Sequence, residues 1–393
     1  MLLPTELSHV YLGENQVNTS VNNKYMVDTE REFTVLIERA LNTDCVALDT
    51  EFVWERTYYP RLGLIQLAMS DEECYLIDPL AIKDLTPLGT LLSTPNVVKI
   101  LHDAPQDLTI LSRVTGTLPT NIFDTRLAAG FSGLSSTISL LDLVSVLLDI
   151  KLEKTQTRTN WLNRPLNSEQ IDYALDDVRY LRALRILLLT RIVVPEIKSW
   201  LKEELEGLNE PLVYGGIDDR QRFLKIKGNG SLNGESLSIL RELAAWREQE
   251  ARHINRPRGH VVTDKALMAM AKENPHDLDE LTRSGHLSHK KFNRYDRAIL
   301  KSIETGRYIN PDEYPIPKRP LRLNNREKTA YERLNSFVQL KCDMQGIDPQ
   351  LIGTTSELKQ LAININNPGS PLPEKLTGGW RKIFLEEFFR QRS

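Results

Sequence analysis

Apolar residues recur along this chain in two rhythms, and the change from one to the other divides it. Between residues 24 and 205, short β-rich runs come first: "CVALDTEF", "GLIQLAM", "ECYLID" and "VVKILHD". After Asp103 the pattern turns helical, with "PQDLTILSRVTG" as the first clear segment. Strands followed mainly by helices imply a sheet covered by helices, an α/β core. Near "EELEGLNEPLVYGGIDDRQRF" glycines and acidic residues interrupt the pattern, and strand signals vanish beyond it. Segments such as "ESLSILRELAAWREQEARHIN", "TDKALMAMAKEN" and "NRYDRAILKSIETGRY" then place apolar residues at helical spacing. Pro311, Pro315, Pro317 and Pro320 suit an extended, semi-rigid linker ahead of a last helical piece. The expected organisation is an N-terminal extension at 1–23, an α/β domain at 24–210, a small all-α domain at 217–308, a linker at 309–323 and a second small all-α domain at 324–393.

The run that opens at Cys45 contains a conflict. Asp49 and Glu51 follow a buried-looking stretch at alternate positions, and Phe52 and Val53 then resume the apolar pattern. Side chains two apart on a strand share a face. Two carboxylates therefore lie side by side at the edge of a core, where repulsion and desolvation are costly without a counter-charge. Capping does not explain such a pair. Divalent metal binding does, because Mg2+ and Mn2+ take oxygen ligands and a pair of ions roughly 4 Å apart needs several carboxylates.

Two later segments offer more acids. In "LHDAPQDLTIL", Asp107 sits where a loop becomes a helix, and Asp103 is a candidate N-cap. In "NSEQIDYALDDVRYLRAL", Asn167 or Ser168 caps a helix whose buried face is Ile171, Ala174, Leu175, Val178 and Leu181. Tyr173 and Asp177 are four apart and neighbours on it, whereas Asp176 is turned toward water. Taken singly, an Asp at a helix start is more often a cap than a ligand, and a Tyr/Asp pair is usually surface decoration.

Composition narrows the function classes. With 393 residues, 40% of them hydrophobic and 26% charged, the chain is ordinary globular material for two or three domains. No apolar run reaches the roughly 18 residues of a membrane span, since even "LRALRILLLTRIVV" is broken by Arg185 and Arg191. The opening "MLLPTELSHVYLGENQ" has no basic leader, and Cys45, Cys74 and Cys342 form no CxxC pair. The expectation is a reduced, cytoplasmic protein without structural zinc. His253, His260, His276, His286 and His289 lack ligand-like spacing, and no Gly-rich loop ending in Lys-Ser/Thr provides for an ATP-driven motor. The formal net charge of −3 conceals an asymmetry: residues 1–216 carry 19 Lys and Arg against 30 Asp and Glu, net −11, while 217–393 carry 31 against 23, net +8. An acidic front and a basic back fit a cation-using site coupled to something that meets polyanions.

"DTEF", "HDAPQDL" and "YALDDV", in that order, resemble the three motifs of the DEDD superfamily of 3′-to-5′ exonucleases, and "FDTRLAA" with "NWLNRPLNSEQIDYA" narrows the resemblance to the ribonuclease D family. It spans roughly residues 24–205. The resemblance implies an RNase H-like α/β exonuclease domain with a mixed sheet and flanking helices. It implies that Asp49, Glu51, Asp107 and Asp177 bind two divalent ions, Mg2+ or Mn2+, and that Tyr173 orients the attacking water. One branch of the superfamily places His five positions before the final Asp and the other places Tyr four before; Asp172 and Tyr173 assign the tyrosine branch. The expected reaction is two-metal-ion hydrolysis from RNA 3′ ends, releasing nucleoside 5′-monophosphates, with precursor transfer RNAs and other small structured RNAs as substrates for a monomeric enzyme.

The back half resembles the HRDC module of RecQ-type helicases and ribonuclease D, on "LSILRELAAWREQEARHINRPRGHVVTDKALMAMAKENP" and "KFNRYDRAILKSI", with a divergent second copy ending "LTGGWRKIFLEEFFRQRS". Lys290, Lys291, Arg294 and Arg297 are candidate phosphate contacts, set against the alternative of a solvated face. Trp246 reads as core. His102, beside the second motif, is either a core histidine or a substrate contact. The rival readings are a DNA 3′-to-5′ exonuclease, since sugar choice rests on contacts to the 2′-hydroxyl that no motif reveals, and a non-catalytic nucleic-acid scaffold.

Overall fold

The computed structural model describes residues 25–153, 159–216, 218–317 and 321–390. The expected extension at 1–23 and the centre of the linker, including Pro320, lie outside the described residues. Two compact units are present. One comprises residues up to Glu51 and Leu62–Asn209; the other comprises Phe52–Arg61 and Glu210 onward.

The first unit is built on a six-stranded sheet in the order β1-β4-β3-β2-β5-β6. Its strands are β1 (Met26–Val27), β2 (Cys45–Val53), β3 (Arg61–Ala68), β4 (Cys74–Ile77), β5 (Val98–Leu101) and β6 (Ile122–Asp124). β3 and β4 run antiparallel, while β1/β4, β2/β5 and β5/β6 run parallel, which gives the mixed sheet. The four runs expected to be strands are strands. β1 and β6, two and three residues long, are too short to leave a period in the sequence.

Among the described residues, eight helices flank this sheet: α1 (Glu30–Leu41), α2 (Thr86–Ser93), α3 (Pro105–Thr115), α4 (Thr125–Phe131), α5 (Leu140–Leu148), α6 (Ser168–Arg179), α7 (Leu181–Arg191) and α8 (Pro195–Gly207). α6 starts where its sequence says it must. Asn167 accepts from the Gln170 N–H at 2.8 Å and Gln170 answers from its side chain to the Asn167 N–H at 3.0 Å, a full capping box. Its buried face, Ile171, Ala174, Leu175 and Val178, matches the helical period.

The second unit is helical apart from the segment that follows Glu51. A core forms where α9 (Gly234–His253), α10 (Asp264–Glu273) and α11 (His289–Arg307) meet through Leu240, Leu243, Leu267, Met270, Ile299 and Ile303. α9 and α11 approach so closely at Gly306 that a Cβ there would sit 2.4 Å from the Ile239 Cα. Trp246 packs edge-on to Tyr295 with ring centroids 5.5 Å apart, a core role. The last helices are α12 (Asn325–Gln345), α13 (Thr355–Asn366) and α14 (Gly379–Arg390). They bury Leu334, Val338, Leu358, Leu361, Trp380 and Phe384. Among the described residues, no helix is long and apolar enough to cross a membrane.

Candidate active site

β2 delivers Asp49 and Glu51 side by side, as the strand period requires. α6 brings in Asp177, and oxygens of Asp49, Glu51 and Asp177 all lie within 4.8 Å of one another. Asp107 stands outside this tight trio but in its field. It occupies the first turn of α3, is buried, and accepts a short hydrogen bond from the Thr50 hydroxyl. Tyr173 stands one turn before Asp177 on α6, and phenol and carboxylate influence each other's titration.

Electrostatics show what the arrangement lacks. Burial is the largest influence on each acid, and the neighbouring carboxylates add to it. Asp49 is held well above the ordinary carboxylate range by burial and by Asp107, Asp177 and Glu51. Glu51 is raised to about 9 by burial, then by Asp177 and Asp107. Asp177 rises to about 7 and Asp107 to about 6, both chiefly by burial. The Tyr173 phenol is also pushed up, by burial and then by Asp177, Glu51 and Asp49, and stays protonated. Like charges that raise one another's pKa make a site for a cation. Three converging oxygen donors with a fourth acid beside them fit Mg2+ or Mn2+, which select oxygen ligands.

The surroundings hold these groups in place. Asp103 does not cap α3; the N-cap position is Ala104, without a side-chain bond. Asp103 instead takes a left-handed turn, φ 63°, and pairs with Arg126. That turn is stapled by Asp124, which accepts from the Asp103 N–H at 3.1 Å, the Ala104 N–H at 2.9 Å and the Arg126 N–H at 2.8 Å. The start of α3, which carries Asp107, is thereby tied to the end of β6. Asp176 pairs with Arg179 at 2.6 Å and is the charge that, after burial, raises Asp177 most. Behind Tyr173 lies Trp161, ring centroids 6.1 Å apart. A single guanidinium, Arg164, holds the Trp161 carbonyl at 2.9 Å, the Gly63 carbonyl at 2.6 Å and both oxygens of Asp78.

Thr50, Asp124 and Arg164 were not legible as supporting residues. Asp124 did carry a signal, an Asp directly before a helical run, and its side chain does cap α4. His102 uses both ring nitrogens within the protein, Nδ1 with the Thr125 hydroxyl at 2.9 Å and Nε2 with the Ile138 carbonyl at 3.1 Å. Burial lowers its pKa. Lys290, Lys291, Arg294 and Arg297 all lie on α11, where Lys290, Arg294 and Arg297 are exposed and Lys291 half-exposed. Arg294 also pairs with Glu250 at 3.5 Å.

A sheet flanked by helices, converging acids and a trailing helical unit define a class. A family model described as 3′-5′ exonuclease matches residues 25–192, and an HRDC domain model matches 236–303. The class is a 3′-5′ exonuclease with an HRDC domain. Ribonuclease D of Desulfotalea psychrophila is 51% identical over 367 residues, spanning 93% of this chain and 97% of that protein. Ribonuclease D of Escherichia coli K12 is 31% identical over 370 residues, 93% and 97% of the two chains. The crystal structure of Escherichia coli RNase D, an exoribonuclease involved in structured RNA processing, matches with a TM-score of 0.79 at 30% identity, over 93% of this chain and 98% of that one. The chain belongs to the ribonuclease D family and is a 3′-to-5′ exoribonuclease.

Proposed function

We propose that Asp49, Glu51, Asp107 and Asp177 hold two divalent cations, Mg2+ or Mn2+, and that Tyr173 orients the water that attacks the terminal phosphodiester of an RNA 3′ end. The observation that carries this reading is the convergence of Asp49, Glu51 and Asp177 oxygens within 4.8 Å, beside Asp107, with burial and mutual repulsion left unbalanced. Bound there, two ions supply the charge that makes water acidic enough to attack and that stabilises the departing 3′ oxygen.

The chain's own groups provide orientation. Tyr173 remains a neutral phenol beside Asp177, able to accept a hydrogen bond from the attacking water. Glu51 is the second acceptor for that water. Trp161 and Arg164 limit how far Tyr173 can swing. Direct in-line attack by water releases a nucleoside 5′-monophosphate and needs no covalent intermediate.

We take structured RNAs, precursor transfer RNAs foremost, as the substrates. Support comes from the Escherichia coli relative's involvement in structured RNA processing and from the net +8 of residues 217–393. Lys290, Lys291, Arg294 and Arg297 are the phosphate contacts we assign to α11. His102, with both ring nitrogens engaged, serves as a core histidine. The enzyme acts as a monomer in the cytoplasm, where its three buried, free cysteines stay reduced.

The test is hydrolysis of matched 5′-labelled RNA and DNA oligonucleotides by wild type and Asp49→Ala, with Mg2+, with Mn2+ and with EDTA. The expected result is a one-nucleotide ladder from the RNA 3′ end that EDTA stops and that Asp49→Ala lacks. Trimming that persists in EDTA, or more than a tenth of wild-type activity in Asp49→Ala, refutes the metal assignment.

A further inference from the structure

Phe52–Arg61 clusters with the helical unit and carries the most exposed of the five tryptophans. Trp161, Trp200 and Trp380 are buried and Trp246 packs against the α9/α11 core, whereas Trp54 is 54% exposed. The indole is exposed yet held. Its Nε1–H donates to the Tyr58 carbonyl at 3.0 Å, and Tyr58 is itself fixed within the helical unit. The Tyr58 hydroxyl donates a short hydrogen bond to the buried Glu248, and the Asn255 side-chain oxygen accepts the backbone N–H groups of Tyr58 and Tyr59 at 3.1 and 3.3 Å. An indole whose single polar atom is engaged has only its apolar ring left to offer a partner.

Between Trp54 and Tyr58 the chain turns through Glu55 and Arg56, and the Arg256 guanidinium meets the Arg56 carbonyl at 3.4 Å. Nearby Arg252 and Arg258 are committed to Asp219 and Glu248. Arg56 and Arg256 are exposed and, among the described residues, take part in no ion pair. An immobilised aromatic ring beside free guanidinium groups has the two elements that single-stranded nucleic acid requires, a surface for a base and charge for phosphates. An apolar protein partner would have to desolvate those charges; an RNA strand meets them with its phosphates. Connectivity supplies the location. Three residues separate Trp54 from Glu51, so at 3.8 Å per step their Cα atoms lie at most about 11 Å apart, whatever the disposition of the two units.

We propose that Trp54 is a stacking platform for a base among the last few nucleotides of the RNA 3′ end, with Arg56 and Arg256 on the phosphates beside it. Stacking tolerates any base, which suits an enzyme that removes nucleotides singly and so presents a new base to the same ring after each cut. The placement at the 3′ end rests on the assignment of Glu51 as a metal ligand, so the experiment includes a control for that assignment.

The test uses the full chain and a short single-stranded RNA, with binding measured in EDTA. Indole emission and its quenching by acrylamide, RNA Kd and melting temperature are recorded for wild type, Trp54→Phe, Trp54→Ala and the Arg56→Ala/Arg256→Ala pair. RNA should shield an exposed indole from acrylamide in wild type and leave no such change in Trp54→Phe. Trp54→Ala should weaken binding about tenfold, Trp54→Phe should recover most of the loss, and melting temperatures should stay at the wild-type value because the ring is exposed. The arginine pair should lower the slope of log Kd against log salt by about 1.4, at roughly 0.7 for each single-strand phosphate contact. An abasic nucleotide stepped through the last four positions should weaken wild-type binding at one of them, and Trp54→Ala should be indifferent to that position. Wild-type affinity in Trp54→Ala, an indole that RNA does not shield, or the same abasic profile in both proteins refutes the platform. Weakened binding that tracks a lost melting temperature and that Trp54→Phe does not recover makes Trp54 merely structural and also overturns it. Trimming by Glu51→Gln in Mg2+ refutes the ligand assignment, and the placement at the 3′ end with it; an inactive Glu51→Gln beside an unaltered Trp54→Ala refutes the platform alone.

Discussion

Gly63→Ala isolates the support behind Tyr173 from the metal ligands themselves. Gly63 lies on β3 directly against Trp161: an added Cβ would fall 2.7 Å from the Trp161 carbonyl oxygen and 2.8 Å from its Cβ, against 3.4 Å for ordinary contact. The Trp161 backbone must then retreat by about 0.6 to 0.7 Å. It cannot do so freely, because Arg164 clamps the Trp161 and Gly63 carbonyls together and is itself pinned by Asp78. Overpacking of this kind costs about 1 to 3 kcal/mol of stability. Trp161 packs on Tyr173, so part of the shift is passed to the phenol, and on the scale of roughly 10²-fold per 1 Å the single-turnover rate should fall about tenfold. The acids stand on β2, α3 and α6, so half-saturating Mg2+ should not move. Urea unfolding and single-turnover trimming across a Mg2+ series check all three values. Wild-type stability would show that the contact relaxes, and wild-type rate with reduced stability would show that Trp161 does not hold Tyr173 in its working position.

Tyr173→Phe removes only a hydroxyl and should cut the single-turnover rate by about 10² to 10⁴ while RNA affinity holds; an unchanged rate moves water orientation to another group. Replacing Lys290, Arg294 and Arg297 together with alanine should weaken binding of a structured RNA and lower the slope of log Kd against log salt by about 2 to 3, and an unchanged slope removes α11 from the RNA-contacting surface. Without metal, Glu51, Asp177 and Asp107, at about 9, 7 and 6, bind protons more tightly folded than unfolded. Their contribution is fully present below the ordinary carboxylate pKa of about 4 and is lost as pH rises through 6 to 9, so the metal-free melting temperature should fall across that window and Mg2+ should restore most at its upper end. A metal-free melting temperature that climbs with pH through the window contradicts this.

The parts of the molecule visible in the sequence are those whose cause is local. Asp49 and Glu51 stood out because a strand's two-residue period put like charges together where burial forbids them. α6 was legible from cap to buried face because Asn167, Gln170 and the 3.6-residue period are all encoded within one turn or a few. β6 was not, since three residues cannot show a period, and Asp124 therefore appeared as part of a motif and not as the staple of the Asp103 turn. Asp103 looked like a cap on spacing alone; its left-handed φ and its pairing with Arg126 depend on a residue 23 positions away. The same limit hid Tyr58, whose partner Glu248 is 190 positions downstream.

The most direct measurement is the number of Mn2+ ions bound per chain, by equilibrium dialysis at near-neutral pH in the presence of saturating nucleoside 5′-monophosphate, for wild type and Asp49→Asn. Two ions for wild type, and fewer than one at the same free Mn2+ for Asp49→Asn, are expected from a site in which Asp49 joins Glu51 and Asp177 within 4.8 Å. Equal occupancy in the two proteins, or a wild type that binds no Mn2+ under conditions in which it trims RNA, would contradict it.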